Sequence, residues 1–303
     1  MEREGADVEI RTDLAMEQTE ALNTSGGLPK GVHVRREKRF GLEATVVEIT
    51  GKSGEKALGR PRGTYITIDV ENVLKREKES FEKAVGCISG YLKELLSISQ
   101  RLPVLVAGLG NREITPDAVG PLTADHILVT RHMVRQMPKE FGAFRPVAAL
   151  VPGVLGTTGM ESAETVRAMV EKSEAAAVIA VDAIAARDTG RLCSTIQISN
   201  TGISPGSGIG NHRNALNEET LGVPVIALGV PTVTDASTLA LDLMERAGMD
   251  PEEAKLQNLS TGMIVTCSDI DRRVREIARV LSYGINGALQ DGLGMDELGD
   301  LTY

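Results

Sequence analysis

From Pro103 onward, short apolar runs recur, each followed by a glycine-rich or polar break and then by a stretch with helical spacing. Residues 104–107, 147–151, 177–181 and 223–228 are apolar on both faces and rich in β-branched side chains, the pattern of strands covered by helices on either side. Helices are predicted over residues 121–136, 162–174, 235–247 and 269–290; in the last, Val274, Ile277, Ala278, Leu281 and Ile285 form one stripe. Upstream, residues 32–70 alternate, as in Ala44-Thr45-Val46-Val47-Glu48-Ile49 and Thr64-Tyr65-Ile66-Thr67-Ile68, with Gly51, Ser53 and Gly54 at a turn, which predicts an antiparallel β unit. One long helix should follow, carrying Val73, Leu74, Phe81, Val85, Ile88, Leu92 and Leu95. The first thirty residues show little periodicity and end at Gly26-Gly27-Leu28-Pro29, so an exposed segment is expected there. The fold class is therefore α/β, a twisted, mostly parallel sheet flanked by helices, with the N-terminal β unit extending it or beside it.

Composition narrows the function. A chain of 303 residues with 42% hydrophobic content can bury one large core, and with 3% aromatics and no Trp that core is built from Val, Ile, Leu, Ala and Met. A net charge of -9 argues against nucleic-acid binding, which rests on clustered Lys and Arg. Cys87, Cys193 and Cys267 form no CxxC pair and read as small hydrophobes in a reducing compartment. No apolar run reaches the roughly eighteen residues of a membrane span, so a soluble, cytoplasmic protein is expected.

Two acids carry the candidate chemistry, Asp117 in Gly108-Leu109-Gly110-Asn111-Arg112-Glu113-Ile114-Thr115-Pro116-Asp117 and Asp182 in Val178-Ile179-Ala180-Val181-Asp182-Ala183. Both are read as ending apolar strands, where α/β sheets place their ligands, and a pair of carboxylates there suits acid/base work. Taken alone, Asp117 also fits a turn or helix cap; Asp182 is harder to dismiss, because an acid at the end of so apolar a strand must be paired, hydrated or catalytic. Glycine-rich loops at residues 108–120, 152–159, 183–190 and 201–211 suggest the rim of one cleft. Backbone N–H groups at Gly156, Thr157 and Thr158, or at Gly206, Ser207 and Gly208, are candidates to bind substrate or an oxyanion. A dinucleotide loop is rejected because Glu113 stands at the third glycine position, and no Gly-Lys-Ser/Thr supports a P-loop. No Gly-x-Ser-x-Gly elbow and no HExxH occur, and the spacing of the histidines gives no support to a metal on Asp117 and Asp182.

At these same loops the sequence closely resembles the germination proteases of endospore-forming Firmicutes. The matching stretches are Val106-Ala107-Gly108-Leu109-Gly110-Asn111, Thr115-Pro116-Asp117-Ala118-Val119-Gly120-Pro121, Val151-Pro152-Gly153-Val154-Leu155-Gly156-Thr157-Thr158-Gly159 and Ala180-Val181-Asp182-Ala183-Ile184-Ala185-Ala186-Arg187. Ile196-Gln197-Ile198-Ser199-Asn200-Thr201-Gly202 and Ile203-Ser204-Pro205-Gly206-Ser207-Gly208-Ile209-Gly210-Asn211 follow; Asn200 and His212 stand where family members often have Asp and Lys. The resemblance implies an aspartic-type endopeptidase of the hydrogenase-maturation-protease fold, with Asp117 and Asp182 catalytic, no cofactor, no metal and a homotetrameric assembly. It implies small acid-soluble spore proteins as substrate, degraded in the spore core during germination. Family zymogens lose a propeptide at an acid followed by a hydrophobic residue, Ala, any residue and Glu. Asp13-Leu14-Ala15-Met16-Glu17 fits, which makes residues 1–13 a propeptide cut off between Asp13 and Leu14, and residues 14–303 the peptidase domain. Within that domain lie the β unit 32–70, the α/β core 103–247 and the C-terminal helix 269–290. Two other readings stand beside this one: a metal-dependent peptidase of the hydrogenase-maturation type, and a non-enzymatic α/β protein that binds a small ligand.

Overall fold

The computed structural model describes residues 11–206, 213–249 and 262–302. The chain opens with α1 (Ala15–Ser25), then β1 (Val32–Arg39), β2 (Leu42–Ile49), α2 (Lys52–Leu58), β3 (Gly63–Asp69), α3 (Glu71–Leu74) and α4 (Ser80–Leu95). Next come β4 (Val104–Gly108), a 3-10 turn (Thr115–Asp117), α5 (Val119–Asp125), α6 (Arg131–Gln136), α7 (Pro138–Phe141) and β5 (Val147–Leu150). They lead to α8 (Leu155–Thr158), α9 (Ser162–Ser173), β6 (Ala177–Ala185), a second 3-10 turn (Thr189–Arg191), β7 (Thr195–Ser199) and α10 (Glu218–Leu221). The last elements are β8 (Val225–Asp235), α11 (Ala236–Arg246), β9 (Ile264–Val265), α12 (Ile270–Leu289) and α13 (Met295–Thr302).

All of these strands join one sheet in the order β1-β2-β3-β7-β8-β6-β4-β5, with β9 added on β8. The half β8-β6-β4-β5 is parallel, and β7, β3, β2 and β1 continue it antiparallel, so the N-terminal β unit extends the sheet. Helices cover both faces, as the doubly apolar strands require. On one, Val106, Ile179, Val181, Ile196 and Leu228 pack with Val274, Ile277 and Leu281 of α12 and with Ile88 of α4. On the other, Leu105, Ala107, Val178 and Ala180 meet Val166 and Val170 of α9.

Four local expectations change. The long helix after β3 is broken, because Arg76 and Glu79 take left-handed backbone (φ 54 and 59) in a run of charged residues with no apolar face to hold a helix. The helix expected over 121–136 also divides. Asn286 of α12 accepts the Leu128 N–H (2.9 Å) and donates to the His126 carbonyl (2.9 Å), while the Thr130 N–H bonds the Val147 carbonyl (3.0 Å), which draws this backbone out of helical pairing. The turn expected around Gly51 to Gly54 is the start of α2. Finally, the N-terminal segment is docked, with Leu14 and Ala15 fully buried. Ala15 packs against Val47, Ile49 and Tyr65, and Leu14 against Ile184, Ala186 and Leu192, so apolar surface supplied from far along the chain outweighs the absence of periodicity in the segment itself.

Candidate active site

Asp182 does not end its strand, because β6 continues to Ala185. It is the first residue past the reach of β4, whose last pair is Gly108 with Val181, and across β8 it faces Gly229, which has no side chain. The residue is 3% exposed, and its carboxyl group accepts a hydrogen bond from the Ala183 N–H (3.0 Å). Burial lifts its pKa well above the ordinary carboxylate range, the charge of Asp117 adds to that and the charge of Asp13 adds less, while the Ala183 N–H opposes.

Asp117 lies in the 3-10 turn rather than at a strand end. The loop between β4 and α5 folds back on itself to bring it there. Gly110 has φ +110, and a Cβ on it would stand 2.1 Å from the Asp117 carbonyl oxygen; one on Gly120 would stand 2.2 Å from the Leu109 oxygen and 2.5 Å from the Val181 oxygen. Only glycine permits this closeness. The Asp117 Oδ2 accepts the Asn111 N–H at 2.7 Å. Burial raises this pKa too, and the Asn111 bond works against it.

Both carboxyl groups line one cavity of about 360 Å³, whose wall also includes Leu109, Val154, Ile184, Gly206 and Asp13. Asp13 belongs to a strap, residues 11–14, laid across the sheet. Its N–H donates to the Ala185 carbonyl (2.9 Å), and its carboxylate accepts the Ala185 N–H (2.9 Å). Gln197 of β7 donates to the Asp13 carbonyl (2.9 Å) and accepts from the Ala15 N–H (2.8 Å); the Arg60 guanidinium holds the Thr12 carbonyl (3.2 Å). Sequence reasoning placed Asp13 and Leu14 but missed Gln197, Arg60 and the strand β7. The alternation Thr195-Ile196-Gln197-Ile198-Ser199 was the available signal, with three polar residues, Thr195, Gln197 and Ser199, on the face opposite two isoleucines.

The proposed oxyanion loops fare differently. Gly206 is in the cavity wall, while Ser207 and Gly208 lie outside the described residues. Gly156, Thr157 and Thr158 are exposed residues of α8 that do not line the cavity, although Val154 and Leu155 beside them do, and the N–H groups of Thr157 and Thr158 already bond the Val154 carbonyl (2.9 and 3.0 Å). The cysteines are free thiols; burial pushes Cys87 up to about 11 and Cys193 up to about 12, far from the thiolate a nucleophile needs. Among the described residues no group of three His, Cys, Asp or Glu side chains is placed to hold a metal ion, and no helix is long and apolar enough to cross a membrane.

The family model described as germination protease matches residues 7–247. The chain belongs to the germination protease family. It is 42% identical to the germination protease of Caldanaerobacter subterraneus subsp. tengcongensis, over 97% of this chain and 98% of that one. It is 34% identical to that of Bacillus pumilus, over the full length of both chains. Among solved structures, a [NiFe] hydrogenase maturation protease, HycI from Thermococcus kodakarensis, overlaps 64% of this chain and 98% of its own at 17% identity with a TM-score of 0.33, a level at which nothing about the site is carried over. As a germination protease the chain is a peptide-bond hydrolase.

The Gly110 geometry gives a first prediction. Gly110→Ala should cost about 10²-fold in kcat/KM, because displacing the Asp117 turn by even 1 Å misaligns the reacting groups. Gly222→Ala also places Ala at positive φ (+74) but meets no atom within 4 Å, so it should cost stability only. Kinetics of the two purified variants on one peptide compare them directly.

Proposed function

We propose that the protein is an aspartic-type endopeptidase made as a zymogen, which removes its own residues 1–13 and then cuts small acid-soluble spore proteins in the spore core during germination. The observation that carries this reading is Asp13 of the strap lying in the wall of the same cavity as Asp117 and Asp182. The charge of Asp117 acts on Asp182 across this cavity, and two carboxyl groups coupled in this way share one proton. Asp182, fully buried and raised further by its neighbour's charge, is the one that holds it; Asp117, less buried and hydrogen-bonded by the Asn111 N–H, is the ionised partner.

The roles follow. Asp117 takes a proton from water as the oxygen attacks the scissile carbonyl carbon, and Asp182 gives its proton to the carbonyl oxygen. Collapse of the tetrahedral intermediate breaks the C–N bond, a proton passes to the leaving amine, and the dyad returns to one shared proton. In self-processing the products are a carboxylate on Asp13 and an amino group on Leu14. Metal-dependent hydrolysis finds no three-ligand cluster among the described residues to favour it. The homotetramer of the resemblance is part of the proposal, and sedimentation measures it.

The rate should be bell-shaped in pH. It falls on the acid side as Asp117 takes up a proton and on the alkaline side as Asp182 loses its own. Both pKa values are raised, so both limbs should lie above the ordinary carboxylate range. A kcat/KM profile on a peptide tests this, and a single limb near the ordinary value of a free aspartate would contradict it. For the substrate, the protein is incubated with a small acid-soluble spore protein and the fragments are read by mass spectrometry. Cuts after an acid that precedes Leu-Ala-x-Glu or a close variant support the assignment; an intact substrate refutes it.

A further inference from the structure

Residues 13–17 are held as a bound peptide is held, one seat to a residue. The main chain on both sides of Leu14 is read by the Gln197 carboxamide, and the Leu14 side chain fills the pocket of Ile184, Ala186 and Leu192. The most elaborate seat belongs to Glu17. Its carboxylate is nearly buried, at 4% exposure. Oε2 accepts the Arg187 N–H (2.8 Å) and Oε1 the Asp188 N–H (3.0 Å), the Arg191 Nη1 stands 3.2 Å from Oε1, and the Thr12 hydroxyl donates to Oε2. Two successive backbone N–H groups beside a guanidinium make an anion cradle that a neutral side chain could fill only in part. Apart from Thr12, every member of it belongs to the body of the protein and stays there when residues 1–13 depart.

We propose that this cradle is a substrate subsite: it reads the acidic side chain at the fourth position after the cleaved bond, Arg191 is its specificity-determining residue, and Glu17 occupies it in cis. The proposal rests on the reading of Asp13–Leu14 as a bond the protein cuts. The ligand class is an acidic peptide with an apolar residue directly after the cleaved bond, a small residue next and a carboxylate at the fourth place. Substrate and N-terminal segment then compete for one seat.

The test measures binding without turnover. A fluorescent peptide with the chain's own sequence from residue 11 to residue 19, which leaves out Glu20, a second partner of Arg191 (2.8 Å), and the same peptide with glutamine in place of its Glu17, are titrated into the Asp117→Asn protein. The glutamate peptide should bind about tenfold or more tightly, the effect of charge-assisted hydrogen bonds worth over one kcal/mol. Arg191→Ala in the same background should remove that preference and leave the glutamine peptide unchanged, and Arg191→Lys should restore part of it. Glu17→Gln in the protein should strengthen binding of the glutamate peptide by weakening the cis occupant, an effect that a purely structural Glu17 would not produce. Equal binding of the two peptides, an equal loss for both in Arg191→Ala, or no binding even in the Glu17→Gln protein overturns the subsite. Glutamate-selective, Arg191-dependent binding by a wild-type chain that cuts no peptide would instead support the subsite and sink the catalytic reading.

Discussion

Asp182→Asn should abolish peptide hydrolysis and raise the thermal midpoint at neutral pH in the same protein. The loss is expected at about 10³-fold or more, since the variant keeps the shape of the carboxyl group but cannot deliver a proton and recover it. The gain has a separate cause. Burial and the charge of Asp117 raise the folded-state pKa of Asp182 above its ordinary value of 3.8, so the folded chain holds a proton that the unfolded chain has lost. The stability tied to that proton is complete below the unfolded value and declines as pH rises towards the raised folded value. Asparagine carries no such liability. The difference in midpoint between variant and wild type should therefore be absent in acid and open as pH passes upward through the ordinary carboxylate range, which melts at a series of pH values measure. A variant that is less stable than wild type at neutral pH would show that Asp182 is held by favourable contacts in its ionised form.

The second large effect concerns the strap. Leu14 is fully buried against Ile184, Ala186 and Leu192, and Leu14→Ala removes most of a side chain from that pocket, at a cost of about 2–5 kcal/mol if the cavity does not collapse. The loss should be local first. The Asp13 and Ala15 N–H groups, now bonded to the Ala185 carbonyl and to Gln197, should exchange with solvent deuterium much faster, while N–H groups of β4 and β6 keep their protection. Uniform loss across the sheet would mean that the strap is an integral part of the core rather than a segment seated upon it.

Much of the scaffold was legible because its strands are buried on both faces. Doubly apolar runs at 104–107 and 177–181 leave little choice but a parallel sheet under helices, and α9, α11 and α12 begin and end within a residue or so of the positions their apolar stripes predict. Asp117 and Asp182 stood out because an acid in such surroundings demands a reason. What was not legible depends on partners remote in sequence. The break at residues 126–130 is imposed by Asn286, and the docking of residues 11–17 by groups between Ala185 and Gln197. In the 11–17 segment a lone leucine, an alanine and a glutamate suffice, with no periodic face to announce them. The strand positions assigned to the two aspartates were also inexact: β6 runs on past Asp182 beside β8, and a 3-10 turn closed by the tight glycines at 110 and 120, rather than a strand end, brings Asp117 to the same cavity.

The claim that Asp117 and Asp182 together hydrolyse the Asp13–Leu14 bond is tested most directly by intact-mass measurement of the purified full chain over time. Wild type should lose residues 1–13 and show a new amino terminus at Leu14, while Asp117→Asn and Asp182→Asn remain at full length under the same conditions. Processing at that bond in either variant at the wild-type rate, or a wild-type chain that stays intact across the pH range, would contradict the account.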